Sequence, residues 1–297
     1  MTARVAFNVW MASIQAVVEP ALAAYLPDAA EMPAGLHAAM RYATLDGGKR
    51  MRPLLVFAAG ELFEAGQDAL TRAAVAMEMM HAYSLVHDDM PCMDDDALRR
   101  GKPTVHVKYG EATALLAGDA LQAQAFLVLA DGDGDAARKL GMVRLLARAA
   151  GPVGMCGGQA IDLASVGCTL SLAELERMHR LKTGALLRAS VLLGALCGKV
   201  LSEAETAALD AYAHAIGLAF QVVDDVLDAT ADSVTLGKTA GKDAADNKPT
   251  YVSILGLQES RLLAQKLCRD AALAIAPFGD RARRLHELAE LIVQRKS

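Results

Sequence analysis

The sequence predicts an all-α protein, a single large helical bundle. Three observations carry that prediction. The chain is 54% hydrophobic yet only 4% aromatic, and Ala and Leu dominate over β-branched residues, which suits helices packed closely through small side chains. Stretches of helical period fill most of the 297 residues. No convincing strand-turn-strand pattern interrupts them.

In chain order the helical stretches are 5–25, 34–45, 53–65, 69–90, 111–130, 135–149, 152–166, 171–198, 203–229, 249–275 and 279–295. The nine prolines mark segment ends, because proline lacks the N–H a helix interior needs. Ser171 with Glu174, and Ser202 with Glu205, fit the capping box that starts a helix. About ten or eleven helices follow. No repeat and no linker rich in Gly, Pro or Ser divides them, so residues 1–297 read as a single domain.

Composition excludes several classes. A net charge of −5 leaves no basic face for nucleic acid. Cys92, Cys156, Cys168, Cys197 and Cys268 lie far apart with no C-x-x-C pair, as thiols of a reducing compartment do. No run reaches 18 uncharged apolar residues, the best candidate, 185–198, containing Arg188, so no membrane span is expected. The N-terminus carries Asn8, Gln15 and Glu19 without a signal-cleavage pattern. The expectation is a soluble cytoplasmic protein.

Two loops invite a motif reading. Asp131-Gly132-Asp133-Gly134-Asp135 starts like a calcium loop, but Ala136 replaces the required Gly and the closing Glu is missing, so it reads as a turn. Residues 230–248 form the longest polar segment and suit a lid. Gly237-Lys238-Thr239 ends like a P-loop, yet Asp232 stands where its first Gly belongs.

The chemistry concentrates in two acidic clusters. Residues 73–87 are almost wholly apolar, which marks a buried helix, and they deliver Asp88, Asp89, Asp94, Asp95 and Asp96 within nine residues. Hard divalent cations with oxygen ligands satisfy such charge. Pro91 ends or kinks the helix beside Asp88 and Asp89, which helps bring Asp94, about 120° round an ideal helix from Asp88, to the same site. Arg99 and Arg100 follow at once, and paired guanidiniums beside metal-binding carboxylates suit a polyphosphate. An acidic helix end with a charged loop is the bland alternative. The second cluster lies in Ile216–Asp228, where Asp224 and Asp228 stand about 40° apart on one helix face, with Gln221 a turn earlier. Asp225 is turned further round. If both clusters face one cavity they hold two or three Mg²⁺ ions, with diphosphate oxygens completing each octahedron.

Cations occur elsewhere. Gly47-Gly48-Lys49-Arg50-Met51-Arg52 places Lys49 and Arg52 at a helix junction where two glycines let the backbone approach an anion, or simply at an ordinary helix cap. Lys182-Thr183-Gly184 sits in a helical stretch, and Lys238 and Lys248 in the polar segment. His87 and His179 read as packing or hydrogen-bonding residues. Met77, Met79 and Met80 suit an apolar wall, or plain core.

Together GGKRMRP, HDDMPCMDDDALRRGKPT, KTG, FQVVDDVLD and LGKTAGKDAADNKPTY resemble the trans-prenyl diphosphate synthases, in register from about residue 40 to about 255. The resemblance implies an all-α isoprenoid-synthase bundle around a central cavity, a homodimer and Mg²⁺ dependence. The reaction it implies is head-to-tail condensation of isopentenyl diphosphate with dimethylallyl and geranyl diphosphate to farnesyl diphosphate. On the matching motifs, Asp88, Asp89, Asp94, Asp224 and Asp228 are expected at the metals. Lys49, Arg52, His81 and Arg100 are expected on isopentenyl diphosphate. Arg99, Lys182, Thr183, Gln221, Lys238 and Lys248 are expected on the allylic diphosphate. Ala97 departs from the acidic run of many relatives and matches no expected ligand.

Five residues before Asp88 stands Tyr83, about 7.5 Å down the helix. If the growing tail follows this helix, the phenol ring is its floor. A bulky aromatic there resembles the bacterial farnesyl synthases, whereas plant-like geranylgeranyl synthases carry smaller or flexible residues. Ser84 beside it is small enough to leave a side pocket. A geranylgeranyl or geranyl diphosphate synthase is therefore the same-chemistry alternative. A terpene cyclase would not need Lys49, Arg52 and Arg100. A non-catalytic regulatory subunit would be expected to lose one cluster, and this chain keeps both. A ferritin-like di-metal bundle wants repeated Glu-x-x-His pairs, and only Glu78 with His81 fits near the clusters.

Overall fold

The computed structural model describes residues 5–230 and 249–295. It is all-α apart from a two-residue ladder. The helices are α1 (Phe7–Tyr25), α2 (Ala34–Thr44), α3 (Met51–Glu61), α4 (Gln67–Asp88), α5 (Val105–Tyr109), α6 (Glu111–Ala130) and α7 (Ala136–Ala150). They continue as α8 (Met155–Ala164), α9 (Leu172–His179), α10 (Ala185–Gly198), α11 (Glu203–Thr230), α12 (Tyr251–Leu255), α13 (Leu257–Ile275) and α14 (Arg283–Gln294). A π-helical turn, Arg180–Gly184, joins α9 to α10, and a 3₁₀ turn, Ala276–Ala282, joins α13 to α14.

The chain divides into two compact units. The first comprises Met1–Arg144 with Leu193–Lys199, the second Leu145–Leu192 with Val200–Ser297. In the first unit α4 is the core element, packed on α6, α3, α2 and α1. Val75, Ala76, Met77, Met79 and Met80 are fully buried, as an all-round apolar helix requires. Each such methionine stabilises the fold by about 1.5–3 kcal/mol. The three methionines are core.

In the second unit α11 packs chiefly on α13 and α14, and α8 on the π turn. Glycines permit the closest approaches. A Cβ on Gly158 of α8 would stand 2.1 Å from the Lys182 nitrogen, and one on Gly217 of α11 would stand 3.1 Å from Gly184 Cα. The π turn is thereby gripped between α8 and α11.

Both capping boxes form, at Ser171 with Glu174 and at Ser202 with Glu205. Asp135 accepts the Arg138 N–H at the start of α7, so the Asp131–Asp135 segment is a turn and cap. Three expectations need correction. Pro20 lies inside α1 rather than at a segment end. The stretch 249–275 is broken by Gly256, whose φ of +81° ends α12, whereas 171–198 runs as one helix through the π turn. A short hairpin pairs Leu98–Arg99 with Lys102–Pro103, and α5 follows it; at two and five residues neither is long enough to show a period. Two stretches, Glu111–Ala130 and Leu172–Gly198, are long and apolar enough to cross a membrane by length and composition. They escaped the stricter expectation because each carries charged residues. Within the second stretch Arg188 pairs with Asp210 at 2.7 Å, and Glu111–Ala130 packs on α4 and α2.

Candidate active site

In the first unit the acidic cluster is built by the end of α4. The helix stops at Asp88, and the chain turns through Met90-Pro91 and folds back. The Asp94 N–H donates to the Asp88 carbonyl at 2.9 Å, and the Asp96 N–H to the Asp89 carbonyl at 3.2 Å. The break at Pro91 thus returns Asp94 to Asp88, and both are half-buried. Asp89 behaves differently. It is 3% exposed and accepts Arg99 Nε on both oxygens at 2.8 Å and Arg99 Nη2 at 2.5 Å. Burial opposes the charge on Arg99, but Asp89 and Asp96 outweigh it and raise its pKa. As the fold stands, Asp89 serves Arg99.

Arg99 and Arg100 are aimed by the hairpin. Its two central residues, Arg100 and Gly101, have φ of +53° and +73°, the two positive φ angles that a two-residue type I′ turn needs. A left-handed arginine costs about 1–2 kcal/mol. Of the five non-glycine residues with positive φ among the described residues, Asp46, Arg50, Asp95 and Arg100 fall in these two site-bearing segments, as strain at functional sites does. Gly47 and Gly48 make room for Arg100 itself: Cβ atoms there would lie 2.5 and 2.7 Å from its two Nη atoms. A cavity of about 80 Å³ borders Gly47, Asp89, Arg99 and Arg100.

Arg50 anchors the GGKRMRP loop. It is buried and donates to Glu19 at 2.6 Å, Glu78 at 2.7 Å and the Thr44 carbonyl at 2.8 Å. Glu78 is therefore the partner of Arg50 rather than part of a metal pair with His81. Lys49 is exposed, its carbonyl accepting from Gln15 at 3.3 Å. His81 lies among Arg52, Arg100, Arg99 and Arg50; burial first, and these charges next, hold its pKa well below the ordinary value, so the ring is neutral. The charges of Arg52, Arg99 and Arg100 are thus all felt at His81. Tyr83 is buried with its ring edge-to-face on His87, centroids 5.2 Å apart. His87 Nε2 lies 3.0 Å from the Leu115 carbonyl, over Gly118, where a Cβ would meet the imidazole at 2.1 Å. The Ser84 hydroxyl donates back to the His81 carbonyl at 2.8 Å.

In the second unit the π turn carries Lys182 and Thr183. π turns of this kind concentrate at functional sites. Lys182 Nζ pairs with Asp162 of α8 at 2.5 Å. Thr183 donates to Gln221 Oε1 at 3.2 Å, Gln221 Nε2 to Asp225 Oδ1 at 2.9 Å, and the Tyr251 N–H to Asp225 Oδ2 at 2.8 Å. Asp225, buried, therefore ties Gln221 to the start of α12. Asp228 is buried and Asp224 half-buried on the adjacent face. Asp224 Oδ1 accepts Arg295 Nη2 at 2.6 Å. His179 is buried, stacks on Tyr251 at 5.6 Å, and has its pKa pushed down by burial to about 4. Lys238 and Lys248, and the lid expectation for 230–248 beyond Thr230, lie outside the described residues.

Sequence reasoning missed Asp162, Gln159, the Arg50–Glu78 pair and Arg295. Gln159 and Asp162 stand one helical turn apart on α8, a spacing that puts amide and carboxylate on one face; that signal was available. Gln159 is buried and its amide finds no hydrogen-bond partner among the described residues, which suits a group that meets a ligand. Nothing local announces Arg295, 71 residues from Asp224.

The donor set, all hard carboxylate oxygen, fits Mg²⁺. Among the described residues no three His, Cys, Asp or Glu side chains converge at metal distance. A metal here would therefore complete its shell with water and ligand oxygens, as Mg²⁺ characteristically does.

Comparison with known proteins agrees with this chemistry. Residues 33–274 match the polyprenyl synthetase family model. A probable farnesyl diphosphate synthase of Bradyrhizobium diazoefficiens is 54% identical over 286 residues, 95% of this chain and 86% of that one. An FPP/GFPP synthase structure from Zymomonas mobilis superposes with a TM-score of 0.87 at 41% identity, covering 97% and 98% of the two chains. A geranyltransferase of Helicobacter pylori, complexed with magnesium and isoprenyl diphosphate, gives a TM-score of 0.85 at 31% identity, with 98% of each chain covered. A chain matched over most of its length by the family model, and carrying both acidic clusters on buried helices, belongs to the polyprenyl synthetase family.

Proposed function

We propose that this prenyltransferase condenses isopentenyl diphosphate head to tail with dimethylallyl and then geranyl diphosphate, giving farnesyl diphosphate. The observation that carries the reading is the arrangement in the first unit: Asp88 and Asp94 returned to each other by a backbone hydrogen bond, and four arginines whose charges help keep His81 neutral. Asp88, Asp94, Asp224 and Asp228 would hold Mg²⁺, with Asp89 acting through Arg99. Bound there, two or three Mg²⁺ ions stabilise negative charge on the leaving diphosphate. Arg99, Lys182, Thr183, Gln221, Lys238 and Lys248 hold the allylic diphosphate, and the cations among them add to that stabilisation. Lys49, Arg52, Arg100 and neutral His81, which offers one N–H, hold isopentenyl diphosphate.

The allylic C1–O bond breaks, the isopentenyl double bond attacks C1, and a proton leaves the new chain for the departing diphosphate. No nucleophilic side chain is required. Tyr83 supplies the floor that limits the chain at fifteen carbons, while Ser84, bonded to its own helix, opens no deeper path. Geranylgeranyl diphosphate synthesis is the second reading; the buried Tyr83–His87 pair argues against it.

The chain works as one domain and as a cytoplasmic homodimer. None of its five cysteines is in a disulfide, and exposed Leu115, Leu116 and Leu127 on α6 offer apolar surface for a second copy. Purified protein with labelled isopentenyl diphosphate and geranyl diphosphate should elongate the allylic substrate with Mg²⁺ and stop in excess chelator. Elongation unaffected by chelator, or none at all from folded protein, contradicts the assignment.

A further inference from the structure

Arg295, which follows α14, is held by three groups of α11. Its Nη2 donates to the Phe220 carbonyl and to Asp224 Oδ1, each at 2.6 Å, and the guanidinium lies 3.7 Å from the Phe220 ring centroid. The Arg295 side chain is 10% exposed, the Asp224 side chain 39%. Phe220 and Asp224 are one turn apart on α11, so a single arginine engages a ring, a carbonyl and a carboxylate on the same stripe.

We propose that Arg295 is a built-in counter-cation for Asp224 that competes with divalent metal at the second acidic cluster. This rests on the reading of Asp224 as a metal ligand. The guanidinium engages one lone pair of Oδ1 that a metal could use, and its positive charge beside the site disfavours a second cation. Losing Asp224 does not strand Arg295, because the Phe220 carbonyl and ring remain as partners. Arginine and metal thus compete for the same carboxylate oxygen. Metal affinity without diphosphate is reduced by whatever the arginine contact is worth.

The test is a Mn²⁺ titration of full-length protein without diphosphate, followed by electron paramagnetic resonance. Circular dichroism checks the fold, and Asp224→Asn identifies the sites that depend on this carboxylate. Arg295→Ala should bind Mn²⁺ at those sites at least about fivefold more tightly, within the ordinary range of such couplings. Arg295→Gln, which keeps the side-chain packing, should do the same, and Arg295→Lys should stay near wild type. If Asp224→Asn weakens Mn²⁺ binding while Arg295→Ala and Arg295→Gln leave it unchanged or weaker, the counter-cation proposal falls and the ligand reading stands. If Asp224→Asn leaves Mn²⁺ binding unchanged, both fall.

Discussion

Arg50 and Glu78 are each about 3% exposed, and their ion pair fixes the loop that carries Lys49 and Arg52 to the helix that carries His81. Removing Glu78 leaves the buried Arg50 with Glu19 and the Thr44 carbonyl, so the loss is that of one buried charge-assisted hydrogen bond rather than of the whole set. Glu78→Ala should lower unfolding stability by about 1.5–3 kcal/mol in urea titrations; a loss below about 1 kcal/mol, typical of an exposed pair, contradicts the buried-anchor role. His179 makes a pH prediction. The unfolded chain takes up a proton near the ordinary 6.5, whereas burial delays protonation of the folded ring to about 4. Between those values the unfolded state binds more protons, so this contribution to stability is full above about 6.5 and is lost as pH falls toward 4. His179→Phe, which keeps the stack on Tyr251, should flatten the slope of unfolding stability across that window. An unchanged slope rules out His179 as its source.

At the level of elements, the π turn and α8 act together. Gly158 and Gly184 let backbones approach, and Asp162 then holds Lys182 in place. Asp162→Asn removes the charged partner but keeps the side-chain size, so we expect KM for geranyl diphosphate to rise about tenfold, as the loss of a charge-assisted hydrogen bond implies, while KM for isopentenyl diphosphate changes little. Equal changes in both would indicate general disruption. These elements also show what a sequence discloses. The capping boxes at Ser171 and Ser202 and the return of Asp94 after Pro91 were legible because each is decided by neighbours a few residues away. The Lys182–Asp162, Arg50–Glu78 and Arg295–Asp224 pairs were not, since they join residues 20, 28 and 71 positions apart. Gly47 and Gly48 were legible as a place of close approach, but what approaches is Arg100.

Across the whole molecule, three of the charges proposed to meet ligands are balanced internally. Arg99 rests on Asp89, Lys182 on Asp162, and Asp224 on Arg295. Such pairing avoids the cost of buried, unpartnered charge, and on the proposed assignment ligands bind by exchanging partners. Asp224→Asn should therefore lower kcat by about 10²–10³-fold, on the scale of losing one electrostatic stabiliser of the transition state, with folding intact; a loss below tenfold would remove Asp224 from the chemistry. The central claim, a prenyl synthase whose chain is stopped at Tyr83, is tested most directly by product chain length. Wild type and Tyr83→Ala would each be given Mg²⁺, isopentenyl diphosphate and geranyl diphosphate, and the products read by mass spectrometry. The account predicts a dominant fifteen-carbon diphosphate from wild type and longer chains from Tyr83→Ala. A twenty-carbon product from wild type, or an unchanged product from the variant, would contradict it.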